Sequence, residues 1–171
     1  EKFGIDALLE RWVGPRGRKD SFASIGIDSF SGYLLLISRA GLAYLLNFSL
    51  MRIEEGWNLR TGCLHVEDDA RFGPIYTVGG VTTKTMHDEE AIWITSSSVR
   101  VAIDAMTAIA RLRMSCAQAN PLVPVTPADI SHPYLQSFVF EPWTAGREAN
   151  YHLRRDHPSY QTVLAVYPKL F

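Results

Sequence analysis

The hydrophobic positions of the first third of the chain recur at helical spacing. Residues 3–13 predict a short amphipathic helix, and a longer helix is predicted from Asp28 or Ser29, either of which could cap it, to Phe48. Gly41 could kink or divide this longer helix. A second short helix is predicted at Met51–Leu59. The first part of the chain is therefore expected to be helical.

The most apolar stretch, residues 32–51, is about as long as a bilayer-spanning helix. Arg39 stands near its middle, and a central arginine costs roughly 3 kcal/mol on insertion into a membrane. We therefore expect a buried core helix and no membrane partner.

From residue 63 the hydrophobic period shortens to two, which is typical of strands. Strands are predicted at residues 63–67, 75–78 and 91–95, with a turn at 68–74 and a polar loop at 88–90. Residues 81–85 either continue the second strand or begin the turn after it. Short strands joined by turns predict a three-stranded antiparallel meander.

A long amphipathic helix is predicted from Val99 to near Cys116, after capping serines at 96–98. The last third carries seven of the nine prolines, so only short helices fit there, around 128–138 and 160–166. The predicted class is α+β. We divide the chain into a leading helix and basic loop at 1–27, a core at 28–118 and a proline-rich tail at 119–171.

The amino-acid composition limits which kinds of binding site the chain can carry. The 171 residues carry 17 basic and 18 acidic side chains, so bulk positive charge does not drive nucleic-acid binding, although a locally basic site remains possible. The two cysteines, Cys63 and Cys116, are too few for a disulfide scaffold and predict a protein of the reducing cytoplasm. Both sit in apolar patterns, which favours core thiols over nucleophiles. The five histidines show no metal-ligand spacing and Gly79-Gly80 lacks a nucleotide-loop context, so we expect no metal and no cofactor.

Residues 47–60 give a more specific indication of function than the composition does. At residues 47–60, Arg52 begins the predicted short helix, Glu55 follows three residues later and Leu59 four residues beyond that. This segment resembles the first conserved block of the tyrosine recombinase (phage integrase) family, which reads roughly Thr-Gly-Leu/Met-Arg-x-x-Glu-x-x-x-Leu. Ser49 stands for the threonine, and Leu50 replaces the glycine. The residues that match the block are Met51, Arg52, Glu55 and Leu59.

The order of the following elements extends the resemblance to about residues 30–115. The family continues with three antiparallel strands, a Thr-Lys-Thr-like turn between the second and third, and a Ser-x-x-Val helix start. Here Thr83-Lys84-Thr85 and Ser96-Ser97-Ser98-Val99 stand in those places. The resemblance implies the N-terminal part of a tyrosine-recombinase-like catalytic domain acting on double-stranded DNA, with other recombinase subunits as candidate partners.

The resemblance also implies roles for three residues. Arg52 would bind the DNA phosphate, because a bidentate donor stabilises the charge that builds on its oxygens, and backbone amides at the helix start would help. Glu55 would orient the arginine or its helix, and Lys84 would protonate the leaving 5′-oxygen. The alternatives are a surface arginine paired with Glu55 or Glu54, and a solvated turn lysine.

Charge bears on where DNA could bind. We expect DNA contacts from Arg60 and from the basic loop that carries Arg16, Arg18 and Lys19, although that loop could also be a solvated turn. Residues 67–90 hold six acidic side chains against two basic ones, whereas a hairpin that enters a DNA groove is normally neutral or basic.

The family also needs a His-x-x-Arg block and a tyrosine nucleophile. His152 and Arg155 have that spacing, but Tyr160 and Tyr167 follow too closely. Either this match is accidental and the true block lies beyond Phe171, or the chain stops before its nucleophile. The chain also begins at Glu1, so we expect a piece of a longer recombinase. We expect it to be inactive alone, because the region of the tyrosine nucleophile is missing. The alternative is a non-catalytic α+β binding protein from a mobile element, whose acidic hairpin contacts a basic partner or neutralises a toxin.

Overall fold

The computed structural model describes residues 27–82, 88–119 and 125–136. The elements are α1 (Ile27–Ser49), α2 (Ile53–Trp57), β1 (Leu64–Asp69), β2 (Gly73–Thr82), β3 (Asp88–Thr95), α3 (Val99–Ala119) and α4 (Pro127–Ser131). The chain divides into two compact units, Glu1–Ile37 and Ser38–Phe171, and the strands and the candidate site residues that the structure describes lie in the second. The α+β class predicted from the sequence is confirmed.

The strands form the predicted antiparallel meander, in the order β1-β2-β3. The predicted turn at 68–74 is wrong at both ends, because Asp68 and Asp69 pair with Pro74 and Gly73 as strand residues. The side chain of Asp69 accepts hydrogen bonds from the amides of Arg71 and Phe72, both at 2.8 Å, so the reversal needs only residues 70–72.

The polar loop predicted at 88–90 is also wrong. These residues begin β3, and Asp88 is paired with Thr82 across an irregular step in the register. Backbone pairing can extend past the apolar part of a strand, because the ladder uses only main-chain groups. The acidic run therefore lengthens the sheet.

One face of the sheet carries the hydrophobic core. Val78 is completely buried and pairs with Leu64 on one side and Trp93 on the other. The core cluster consists of Leu45, Met51, Leu59, Cys63, Val78, Val99, Ile103, Met106 and Leu135. Successive side chains of a strand point to opposite faces, which leaves Ile92 and Ile94 on the outer face of β3, 69% and 74% exposed.

The long helix α1 is not divided at Gly41, as the sequence allowed. Gly41 instead permits a close helix contact, because a Cβ atom there would lie 2.9 Å from the Sδ atom of Met106 on α3. In the part of the chain that the structure describes, no helix has both the length and the apolar character needed to cross a bilayer.

The remaining helices differ from their predicted lengths. α2 occupies only Ile53–Trp57 of the predicted nine residues, and α3 begins at Val99 as predicted but continues three residues past Cys116. α4 covers Pro127–Ser131 in place of the predicted 128–138, since Pro133 disfavours a helical conformation at His132. The predicted helices at 3–13 and 160–166 lie outside the described residues.

The chain after α4 is tied to the segment between α2 and β1. The amide of Thr61 donates to the carbonyl of Pro133, and the amide of Leu135 donates to the carbonyl of Leu59, both at 2.9 Å. Leu135 is buried in the core. These two hydrogen bonds place residues 133–135 alongside residues 59–61.

Candidate functional site

Arg52 stands at the N-terminal cap of α2, in the extended backbone conformation usual for a cap (φ −71°, ψ 156°). Its side chain is 49% exposed. Its Nη1 atom lies 3.4 Å from Oε1 of Glu55, which is a weak ion pair at this exposure. The guanidinium is therefore close to its own helix but still accessible to a ligand.

Glu55 connects the N-terminus of α2 to strand β2. Its side chain is 8% exposed, and its Oε2 accepts the backbone N–H of Arg52 at 2.6 Å. Its Oε1 accepts the hydroxyl of Thr82, near the end of β2, at 2.7 Å. Because the amide of Arg52 is taken by this carboxylate, the guanidinium, and not that N–H, is the group offered to an anion.

Leu50 has an unusual backbone. Its φ is +56°. Among the described residues, the other positive φ values belong to glycines. It follows the end of α1, where its amide donates to the carbonyl of Leu46 at 3.1 Å, and its side chain is 88% exposed. Helices often end in this left-handed conformation, which glycine adopts without strain and leucine does not.

A cleft of about 460 Å³ opens beside Arg52. Its lining residues come from the α1–α2 link, α2 and the adjoining parts of β2 and β3: Leu50, Arg52, Glu55, Thr82, Ala91, Ile92 and Trp93. The cleft therefore places the half-exposed cation of Arg52 beside the buried carboxylate of Glu55, with apolar side chains at its edge. Lys84 follows Thr82 by two positions and lies outside the described residues.

Arg60, eight positions after Arg52, has a different environment. Its guanidinium lies 3.8 Å from the ring centre of Tyr134, and its Nη1 donates to the carbonyl of His132 at 2.8 Å. The same atom lies 3.4 Å from Oδ1 of Asp129, a carboxylate that is 1% exposed. Arg60 therefore ties residues 129–134 to the segment before β1, and its predicted contact with DNA stays a prediction.

Asp129 is stabilised in its charged form. Burial alone would raise its pKa, but hydrogen bonds from Thr126 and the nearby Arg60 guanidinium outweigh burial and hold the pKa of Asp129 below its ordinary value. The Thr126 hydroxyl donates to the Asp129 carboxylate at 2.6 Å and accepts the Asp129 amide at 3.2 Å, which caps α4.

A second cavity, of about 830 Å³, lies between the outer face of β2 and the α4 region. Cys63, His65 and His132 are among its lining residues. Burial raises the pKa of the Cys63 thiol to about 11, so it is protonated near neutral pH, as the core-cysteine prediction requires. Across the described ranges, no three His, Cys, Asp or Glu side chains come close enough to hold a metal ion.

The structure brings together only some of the predicted site residues. Arg52 and Glu55 are in contact, and Arg60 lies apart with its own partners. Sequence reasoning missed Thr82, Asp129 and Tyr134, whose partners lie 27 or more positions away. The predicted residues that fall outside the described ranges are Arg16, Arg18, Lys19, Lys84, His152 and Arg155.

Comparison of the chain with protein-family models, with curated proteins and with solved structures found no match.

Proposed function

We propose that this chain is the DNA-binding portion of a site-specific tyrosine recombinase, with a fold like that family's catalytic domain. In this proposal Arg52 binds the phosphate at which the strand is cut and rejoined. Glu55 positions Arg52, and Lys84 is the general acid in a protein that carries the full catalytic set. The partners are double-stranded DNA and other recombinase subunits, and the chemistry uses no cofactor.

The observation that carries the proposal is the backbone of Leu50. The resembled block has glycine at this position, two residues before its arginine, and Leu50 adopts the left-handed conformation that favours glycine. The backbone at this position thus suits the glycine of the block, which supports the alignment of Leu50 with that glycine. Nothing in the letter pattern of the block requires that agreement.

The contacts of Glu55 support the proposal independently. The block implies that its glutamate orients the arginine, and here Glu55 bonds to both the amide and the guanidinium of Arg52. Through Thr82, the same carboxylate also holds the strand that leads to Lys84. One buried side chain therefore connects the phosphate-binding arginine with the hairpin that would carry the general acid.

A different observation favours a second candidate function. Glu67, Asp68 and Asp69 are exposed at the end of β1, and exposed isoleucines lie on the outer face of β3. An acidic and partly apolar surface suits a basic protein partner. In that case the chain is a non-catalytic binding protein from a mobile element.

DNA affinity separates the two functions. We expect fluorescence anisotropy with a short labelled DNA duplex to show binding that weakens as salt is raised. Arg52→Ala should weaken that binding about tenfold and reduce the salt slope by about 1, as expected for one lost phosphate contact.

Arg71→Ala is the matched control, because Arg71 is exposed in the β1–β2 turn and its loss changes the net charge equally. We expect it to change affinity less than about twofold. Equal effects of the two substitutions, or the absence of salt-sensitive binding, would overturn the recombinase proposal.

A further inference from the structure

Leu50 combines two features that are each unfavourable in the free protein. Its backbone has φ +56°, a conformation that leucine rarely adopts. Its side chain is 88% exposed, so it gains almost no packing in return. A strained backbone that presents an apolar side chain to solvent is an observation that points towards a ligand contact.

The position of Leu50 indicates where that contact would be made. Leu50 lines the cleft that also contains Arg52, and so does Ile92 of β3, which is 69% exposed. We call Leu50 and Ile92 the apolar rim. Ile94, on the same strand and face, is equally exposed at 74% but does not line the cleft. The rim is thus set by the cleft and not by exposure alone.

The chemistry of the rim fits a nucleic-acid backbone. Each phosphate of DNA is flanked by deoxyribose groups whose carbon atoms have no charge, and proteins contact both parts of the backbone. A guanidinium that binds a phosphate brings those sugars to the side chains around it. Resting on the proposed function, we propose that the apolar rim packs against the deoxyribose groups that flank the phosphate bound by Arg52.

The salt dependence of binding distinguishes a sugar contact from a phosphate contact. An apolar contact releases no counterions, so its loss lowers affinity by the same factor at every salt concentration. Removing Leu50 should therefore weaken duplex binding about fivefold, which is about 1 kcal/mol, and leave the salt slope unchanged.

The experiment measures duplex affinity against salt concentration for six proteins: the unchanged chain, Leu50→Gly, Leu50→Asn, Ile92→Ala, Ile94→Ala and Arg52→Ala. Glycine and asparagine both accept the left-handed backbone, so neither variant should fail to fold. We expect weaker binding with an unchanged slope for the two Leu50 variants and for Ile92→Ala. Ile94→Ala should bind like the unchanged chain.

Each of the other outcomes would contradict either the contact made by the apolar rim or the proposed function. If Arg52→Ala weakens binding but the Leu50 and Ile92 variants do not, the rim inference is wrong and the proposed function stands. If Ile94→Ala loses as much as Ile92→Ala, the contact is not made by the cleft rim. If the unchanged chain shows no salt-sensitive DNA binding, both the inference and the proposed function fail.

Discussion

Arg52 and Arg60 are eight residues apart, and the sequence suggests DNA contacts for both, yet the structure gives them different environments. The described contact of the Arg52 side chain is a 3.4 Å pair with Glu55, and half of that side chain is exposed. Arg60 is stacked on Tyr134, bonded to the carbonyl of His132 and paired with buried Asp129. Arg60 stabilises the fold, whereas Arg52 keeps donors accessible at a cleft.

The difference shows what makes an arginine suitable for a ligand. A guanidinium that already satisfies a buried carboxylate and a carbonyl would have to give up those contacts to bind a phosphate, which leaves buried polar groups unpaired. Arg52 would lose only its long ion pair with Glu55 on binding a phosphate. The comparison therefore predicts that Arg60 contributes mainly to stability and Arg52 mainly to binding.

Loss of Arg60 should have the largest effect on stability. We expect Arg60→Ala to lower the free energy of unfolding by about 2 kcal/mol, because the substitution leaves buried Asp129 without its cation and removes the stacking on Tyr134. Chemical denaturation followed by circular dichroism measures this change.

Arg100→Ala is the control for Arg60→Ala. Arg100 pairs with Asp104 at 3.7 Å, but both side chains are more than 60% exposed, so its loss should cost only about 0.3 kcal/mol. Similar losses for the two variants would show that Arg60 is not the structural tie described above.

Acid should weaken the Arg60 region through protonation of Asp129. Because the pKa of Asp129 is below its ordinary value in the folded chain, the charged carboxylate stabilises the fold at every pH above that ordinary value, about 3.9. The contribution is lost as the pH falls through the lowered pKa. We expect Asp129→Asn to be less stable than the unchanged chain at neutral pH, with a gap that narrows below about pH 4.

Denaturation series at several pH values test this expectation. Asp104→Asn serves as the control, since Asp104 is 68% exposed and its gap should be small at every pH. A gap for Asp129→Asn that stays constant into acid would contradict the role of its charge.

The sequence predicted the elements well where hydrophobic period alone decides them. The meander and the start of α3 follow from alternation at residues 63–67 and 91–95 and from the apolar stripe after Val99. It failed at residues 68–74 and 88–90, because strand pairing there depends on main-chain hydrogen bonds that side-chain polarity does not reveal.

The candidate site was predictable only in part. Arg52 and Glu55 are three positions apart, so their contact follows from helix geometry. The bond from Thr82 to Glu55 and the stacking of Arg60 on Tyr134 depend on how distant segments pack. The left-handed backbone of Leu50 was not predictable from its own residue type, because leucine disfavours it.

Removal of the backbone strain at Leu50 should stabilise the fold. We expect Leu50→Gly to raise the free energy of unfolding by about 1 kcal/mol, since the strain of a left-handed leucine exceeds the entropy that glycine adds to the unfolded chain. Leu50→Ala keeps a Cβ atom and the strain, so its stability should be close to that of the unchanged chain. Equal stabilities of the glycine and alanine variants would argue against the left-handed conformation.

Loss of Arg52 should have the smallest effect on stability. We expect Arg52→Ala to change the free energy of unfolding by less than about 0.5 kcal/mol, because the pair with Glu55 is long and half-exposed. Glu55 keeps its bonds to the amide of residue 52 and to Thr82 in that variant, so the cap of α2 persists. Denaturation of the Arg52 and Arg60 variants side by side makes the comparison. If both cost about 2 kcal/mol, both arginines are structural, and the distinction between a binding and a stabilising arginine is lost.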